Sequence, residues 1–337
     1  MEAVLVIVVV ALALGFDFTN GFHDAANAIA TSVSTRALTP RVALVMSAIM
    51  NFAGALIGTG VADTIAHKIV QLPEDTASAS HFTLVIIICA LLGAITWNLI
   101  TWRLGLPSSS THSLIGGLVG AGLAGGLGIY WKAVVDKVVV PMVVSPAIGF
   151  VAAFVVMVGV LWLVRRAAPT RTMRRFRLAQ TVSAAAMALG HGLQDAQKTM
   201  GVILLALIAN GWAAPNSHIP LWVKICAAAA ISAGTYSGGW RIMRTLGRKI
   251  IELDPARGFV AESVSALVLY VMALGLKAPV STTHTITSAI MGVGATRRLS
   301  AVRWGVAKNI VVAWVLTIPA AGAVAALLFV ALRPLLG

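Results

Sequence analysis

NGFHDAANAIATSVS, residues 20–34, sets His23, Asp24 and Asn27 between two apolar runs, residues 4–14 and 42–61. An ionisable side chain at membrane depth costs about 2.5–3.5 kcal/mol on insertion scales, so these three are functional candidates. Asp24 and Asn27 are three apart and share one helical face. The pattern returns at residues 191–200, HGLQDAQKTM, where Gly192 answers Gly21, Asp195 answers Asp24 and Lys198 answers Asn27. A second motif is also doubled: residues 106–114 read LPSSSTHSL and residues 278–286 read APVSTTHTI. Asp24 lies 83 residues before Pro107, and Asp195 lies 84 before Pro279. Two motif pairs at a nearly constant offset mark an internal duplication. The expected division is a first repeat over 1–137, a linking span and basic cytoplasmic loop over 138–177, and a second repeat with a C-terminal span over 178–337.

The chain has 337 residues, of which 59% are hydrophobic and only 11% charged. The mean hydropathy is +0.93. A soluble domain is nearer 25% charged. Apolar runs recur along the whole length, so the expected class is an all-α polytopic membrane protein of about 10–12 membrane elements in a lipid bilayer. A net charge of +14 invites a nucleic-acid partner, but the basic residues fall in short loops between spans, as the positive-inside rule produces. Cys89 and Cys226 stand alone in apolar runs and read as small core residues rather than a disulfide. No cofactor is expected. The apolar N-terminus lacks a basic leader and reads as a retained span.

The first element, residues 4–35, is too long for one regular span, and residues 15–21 suggest a break between two glycines. Residues 42–62 read as one span, as do residues 221–240. The loop charges orient the chain. Arg36 and Arg41 flank a basic turn, whereas its counterpart at 210–218 has no Lys or Arg. The loop at 63–80 is acidic through Asp63, Glu74 and Asp75, whereas its counterpart at 241–257 is basic. Equivalent loops on opposite faces mean two inverted-topology repeats with broken helices and hairpins, ten crossings and both termini outside. Six arginines between Arg165 and Arg177 place the linking loop in the cytoplasm.

Inverted repeats with interrupted helices place a substrate near the midplane, where the repeats meet. Ser109, Ser110 and Thr111, with Ser281, Thr282 and Thr283, offer hydroxyl donors at two helix starts, which suits an anion. Helix capping is the plain alternative for one such turn; two related by the duplication favour a site. Asp24 with Asn27, and Asp195, offer hard oxygen ligands for Na+, or one of them carries a proton. Lys198 supplies an ammonium to neutralise Asp195 or to contact the anion; the plain alternative is a buried ion pair. His23 and His191 adjoin the carboxylates and are the better proton candidates. His112 and His284 either carry protons or bond the turn backbone. Asp17 and Asp136 read as ends or interruptions of spans.

These motifs together resemble the inorganic phosphate transporter family of the Pit type, bacterial low-affinity branch, over essentially the whole chain. The resemblance implies a plasma-membrane symporter of inorganic phosphate driven by H+ or Na+. It implies further that phosphate travels as a neutral complex with a divalent metal, and that Glu262, seventeen residues before Pro279, joins the coupling residues. The family pattern is G-A-N-D-x-A-N; here His23 and Gln194 precede the two aspartates, and Gln197-Lys198 replaces Ala-Asn. Those departures favour protons over sodium. A Na+-coupled phosphate or sulfate symporter is the first alternative, an intramembrane hydrolase a second and a passive anion channel a third. The duplication opposes the hydrolase, since one active site needs one nucleophile. A homodimer is one assembly open to such a chain.

Overall fold

The computed structural model describes residues 2–69, 78–214 and 216–333. Glu74 and Asp75 of the acidic loop lie outside them. Every regular element among the described residues is helical, which suits a chain whose backbone must satisfy its own hydrogen bonds in lipid. The first half runs α1 (Glu2–Ser34), α2 (Pro40–Ile57), α3 (Gly60–Lys68), α4 (Ser78–Leu104), α5 (Ser110–Ala124) and α6 (Trp131–Val134). A π-turn at Val135–Val139, which holds Asp136, joins α6 to α7 (Val140–Val164). The second half repeats the order: α8 (Pro169–Ala209), α9 (Leu221–Ser237), α10 (Trp240–Arg244), α11 (Pro255–Tyr270), α12 (Thr282–Ala295) and α13 (Trp304–Leu332). Six helical segments among the described residues are long and apolar enough to cross a membrane.

The packing is exchanged between the halves. α1 packs on α9 and α2 on α8; α5 packs on α13 and α12 on α7. α1 and α8 meet at the centre and run antiparallel. Thr35 bonds Gln180, Thr31 and Ser183 share Glu262, and Asp24 faces His191 and Asp195.

The expected break at residues 15–21 is absent: α1 is continuous over 33 residues. Its glycine serves a crossing instead. A Cβ on Gly21 would lie 2.3 Å from the Ile231 carbonyl oxygen, and one on Gly234 would lie 2.1 Å from that of Phe18. The other exchanged pair crosses the same way: a Cβ on Gly192 would lie 2.1 Å from the Asn51 oxygen, and one on Gly54 would lie 2.1 Å from that of Leu189. Small residues at these points let backbones approach closely. The interruptions fall one element later than expected. Residues 42–62 divide between α2 and α3 at Gly58 and Thr59, and residues 221–240 divide at Gly238, whose φ of 78° ends α9.

Asp17, Asn20, Asp24, Asn27 and Thr31 recur at helical spacing down α1, and all are buried. Asp17 is therefore neither an end nor an interruption. Residues such as Val4, Ile7 and Phe18 are exposed on other faces of the same helix.

Candidate functional site

The two Ser/Thr turns are built alike. In the first, Gly105 takes a positive φ of 67° and turns the chain toward Pro107; in the second, Lys277 does so at 51°. Each turn is held by the other half. Thr245 Oγ1 donates to the Gly105 carbonyl at 2.8 Å, and Thr64 Oγ1 donates to that of Lys277 at 2.9 Å. Ser109 and Ser281 then cap the helices that follow, accepting from the backbone N–H of His112 at 3.2 Å and of His284 at 3.1 Å. These two serines shape the turns, while the next two residues of each turn carry the side chains that reach the centre.

The contacts of Asn27 and Lys198 cross between the halves. Asn27 Nδ2 donates to Thr283 Oγ1 at 2.9 Å and to Thr282 Oγ1 at 3.3 Å. Its equivalent, Lys198, places Nζ 2.8 Å from Ser110 Oγ and 3.1 Å from Thr111 Oγ1. Thr283 and Ser110 both donate to Asp24, each at 3.3 Å, and Thr282 donates to Asp195 at 3.4 Å. Lys198 also pairs with Asp195 at 3.0 Å. Each repeat's polar helix therefore serves the other repeat's turn. All these side chains are at most 2% exposed, so the cluster is sealed from both faces.

Two histidines complete the carboxylates. His23 Nδ1 lies 2.6 Å from Asp24, and its Nε2 lies 3.1 Å from Thr101 Oγ1. His191 Nε2 lies 3.1 Å from Asp195. Ligand atoms of Asp24, His191 and Asp195 all fall within 4.8 Å of one another, a donor set able to hold a cation. Chemically, the centre offers four hydroxyls, an ammonium and two helix N-termini to an anion, with two carboxylates beside them for a positive charge.

Glu262 is not part of this cluster. It accepts from Thr31, from Ser183 at 2.5 Å and from Gln180 at 3.2 Å, where α11 meets α1 and α8. Thr31 is seven residues past Asp24, about 10 Å along α1. His112 and His284 do not reach for the turn backbone through their rings. Their rings pack 4.8 Å apart, and His284 stacks on Trp314 at 3.9 Å. Gln197, one of the departures from the family pattern, caps α3 by accepting from Val61 N at 2.8 Å. Sequence reasoning missed Thr101, which orients His23; a single Thr in an apolar span carries no local signal.

The sequence pattern of the Phosphate transporter family matches residues 20–325. A probable low-affinity inorganic phosphate transporter of Rhizobium meliloti (strain 1021) is 50% identical over 97% of this chain and 96% of its own length. A protein of the same description from Bacillus subtilis (strain 168) is 43% identical over 97% and 96%. Among solved structures, one titled "The sodium-dependent phosphate transporter" superposes with a TM-score of 0.87 at 27% identity, covering 98% of this chain and 99% of that one.

Proposed function

Since the chain belongs to the phosphate transporter family, we propose that it imports inorganic phosphate by symport with a cation, bound where the two turns meet α1 and α8. The observation that carries this reading is the crossed cluster of Ser110, Thr111, Thr282 and Thr283 around Asp24, Asp195 and Lys198. Phosphate oxygens would accept from these hydroxyls and from the first N–H groups of α5 and α12. The same hydroxyls touch both carboxylates, so a bound anion sits close to two further negative charges. Each such pair costs about 4 kcal/mol at about 4 Å and an effective dielectric of about 20. A proton or cation on the carboxylates removes that cost, and linkage makes the effect mutual. Anion and cation thus favour each other's binding, which is the thermodynamic basis of symport. The relatives are named as transporters, a non-enzymatic role, which speaks against the intramembrane hydrolase.

Protons are the first choice of driving ion, because the Lys198 ammonium already occupies one positive position beside Asp195. Sodium is the second reading. It is favoured by the sodium-dependent structural relative and by the close carboxylate oxygens. The Asp24–His191–Asp195 set also suits phosphate arriving with a divalent metal as joint cargo. The protein would lie in the plasma membrane as two inverted repeats with both termini outside, the division falling within residues 138–177. Radiolabelled phosphate uptake by purified protein in liposomes tests the reading, with H+ and Na+ gradients imposed separately and sulfate as competitor. Asp24→Asn and Asp195→Asn are each expected to abolish concentrative uptake while the protein remains in the membrane. Near-normal uptake by both variants would remove the carboxylates from coupling.

A further inference from the structure

A basic cavity lies outside the cluster of the two Ser/Thr turns, at the far end of α4. The last residues of that span, Arg103 and Leu104, with Gly105, face α10 and the π-turn Thr245–Lys249 that follows it. Two contacts hold the sides together. Arg241 Nη1 donates to the Arg103 carbonyl at 2.9 Å, while its guanidinium lies 4.9 Å from the centre of the Trp102 ring. Thr245 Oγ1 donates to the Gly105 carbonyl at 2.8 Å. The cavity measures about 420 Å³ and is lined by Arg103, Leu104, Gly105, Arg241, Arg244 and Lys249. Four of these six residues are cationic and none is acidic. None of the four pairs with a carboxylate among the described residues, whereas Arg257 pairs with Asp254.

The positive-inside rule puts basic residues on one side of a membrane, but it does not gather them around one hollow. A cleft lined by a single sign of charge focuses its field and draws in a counter-ion. Guanidinium forks match phosphate oxygens, so the lining favours a phosphate-bearing anion. The edge of the cavity points to the source of that phosphate. Arg103 and Leu104 close the apolar span His81–Leu104, and Leu104 is 65% exposed beside the cations. A span of that length ends at headgroup depth, where basic side chains meet lipid phosphate and an exposed leucine meets acyl carbons. A free phosphate ion gains nothing from that apolar edge. Basic pockets between membrane helices on the cytoplasmic side take anionic headgroups in this way. On the orientation that the loop charges favour, this end of α4 is the cytoplasmic one.

We propose that the cavity between α4 and α10 binds the headgroup of an anionic phospholipid. The binding does not rest on the symport reading. The test is native mass spectrometry of the purified full-length protein in neutral detergent, titrated with phosphatidylglycerol and, separately, with phosphatidylcholine. Arg103→Gln with Arg244→Gln and Lys249→Gln removes three cations and leaves Arg241, which holds the end of α4. Each basic residue near an anionic lipid is worth roughly fivefold in binding, so the tightest phosphatidylglycerol is expected to weaken on the order of a hundredfold, with phosphatidylcholine unchanged. A control, Arg171→Gln with Arg174→Gln and Arg175→Gln, removes the same charge from the start of α8. It is expected to keep that lipid within about twofold of wild type. Arg244→Glu alone is expected to weaken phosphatidylglycerol by at least about fivefold, and its result stands if the triple variant fails to fold. Equal losses in the control and the triple variant would reduce the effect to net charge and overturn the site. Unchanged phosphatidylglycerol binding by Arg244→Glu and by the triple variant would do the same. Equilibrium binding of radioactive phosphate is the last arm. A triple variant that loses one phosphate per chain but keeps its lipid would assign the cavity to the free ion and overturn the lipid site.

Discussion

Lys198 stands where the first repeat has Asn27, and both reach the opposite turn. The amide there is neutral and the ammonium is not, so the centre carries one fixed positive charge against Asp24 and Asp195. Lys198→Asn restores the symmetric pattern and removes that charge. The expected result is weaker phosphate uptake with a partial sodium dependence that the wild type lacks. Initial rates in sodium-free and sodium-containing buffer at one pH measure it, and an unimpaired, sodium-independent variant would leave Lys198 as a structural ion-pair partner only. The residues of this centre were legible because charged or amide side chains in an apolar chain are conspicuous, and their doubling made them specific. Ser109 and Ser281 were legible only as members of their turns, since which hydroxyl caps and which faces the centre depends on backbone geometry. Thr101 was not legible: one polar residue in a span is ordinary until its neighbours are known.

At the scale of elements, the glycines at the crossings separate packing from flexibility. Gly15 and Gly21 sit in the same helix and look alike in sequence, which is why a break between them was a natural reading. A Cβ on Gly15 meets nothing within 4 Å, while one on Gly21 meets the α9 backbone. Gly15→Ala is expected to be neutral or to stabilise by about 0.5–1 kcal/mol, since glycine is entropically unfavourable in a helix. Gly21→Ala and Gly192→Ala are expected to destabilise by about 1–3 kcal/mol, because overpacking forces backbones apart. Thermal unfolding in detergent, read by intrinsic fluorescence, ranks the three; Gly21→Ala melting at or above wild type would remove the close crossing. The helical class and the paired turns followed from hydropathy and proline placement. The exchange of partners, α1 with α9 and α2 with α8, did not, because a crossing is a relation between distant segments that no local pattern encodes.

For the molecule as a whole, the loop charges are the argument for orientation. With Cys89 and Cys226 first replaced, Asn216→Cys is expected to react with an impermeant maleimide from outside in intact cells. Thr172→Cys should react only after permeabilisation; labelling of both from one side would remove the inverted arrangement. The polar face of α1 has one more consequence, and it is electrical. Asp17 and Thr31 are fourteen residues apart, about 21 Å of rise in a hydrocarbon layer about 30 Å thick. Any single charge displaced along α1 by the ten or so ångströms that separate Asp17 from Asp24 would cross about a third of the membrane voltage. At about 2.3 kcal/mol per charge for each 100 mV, that step alone is worth about 0.8 kcal/mol, or nearly fourfold in occupancy. The resting potential of a cell would thus bias any charge movement along this polar face.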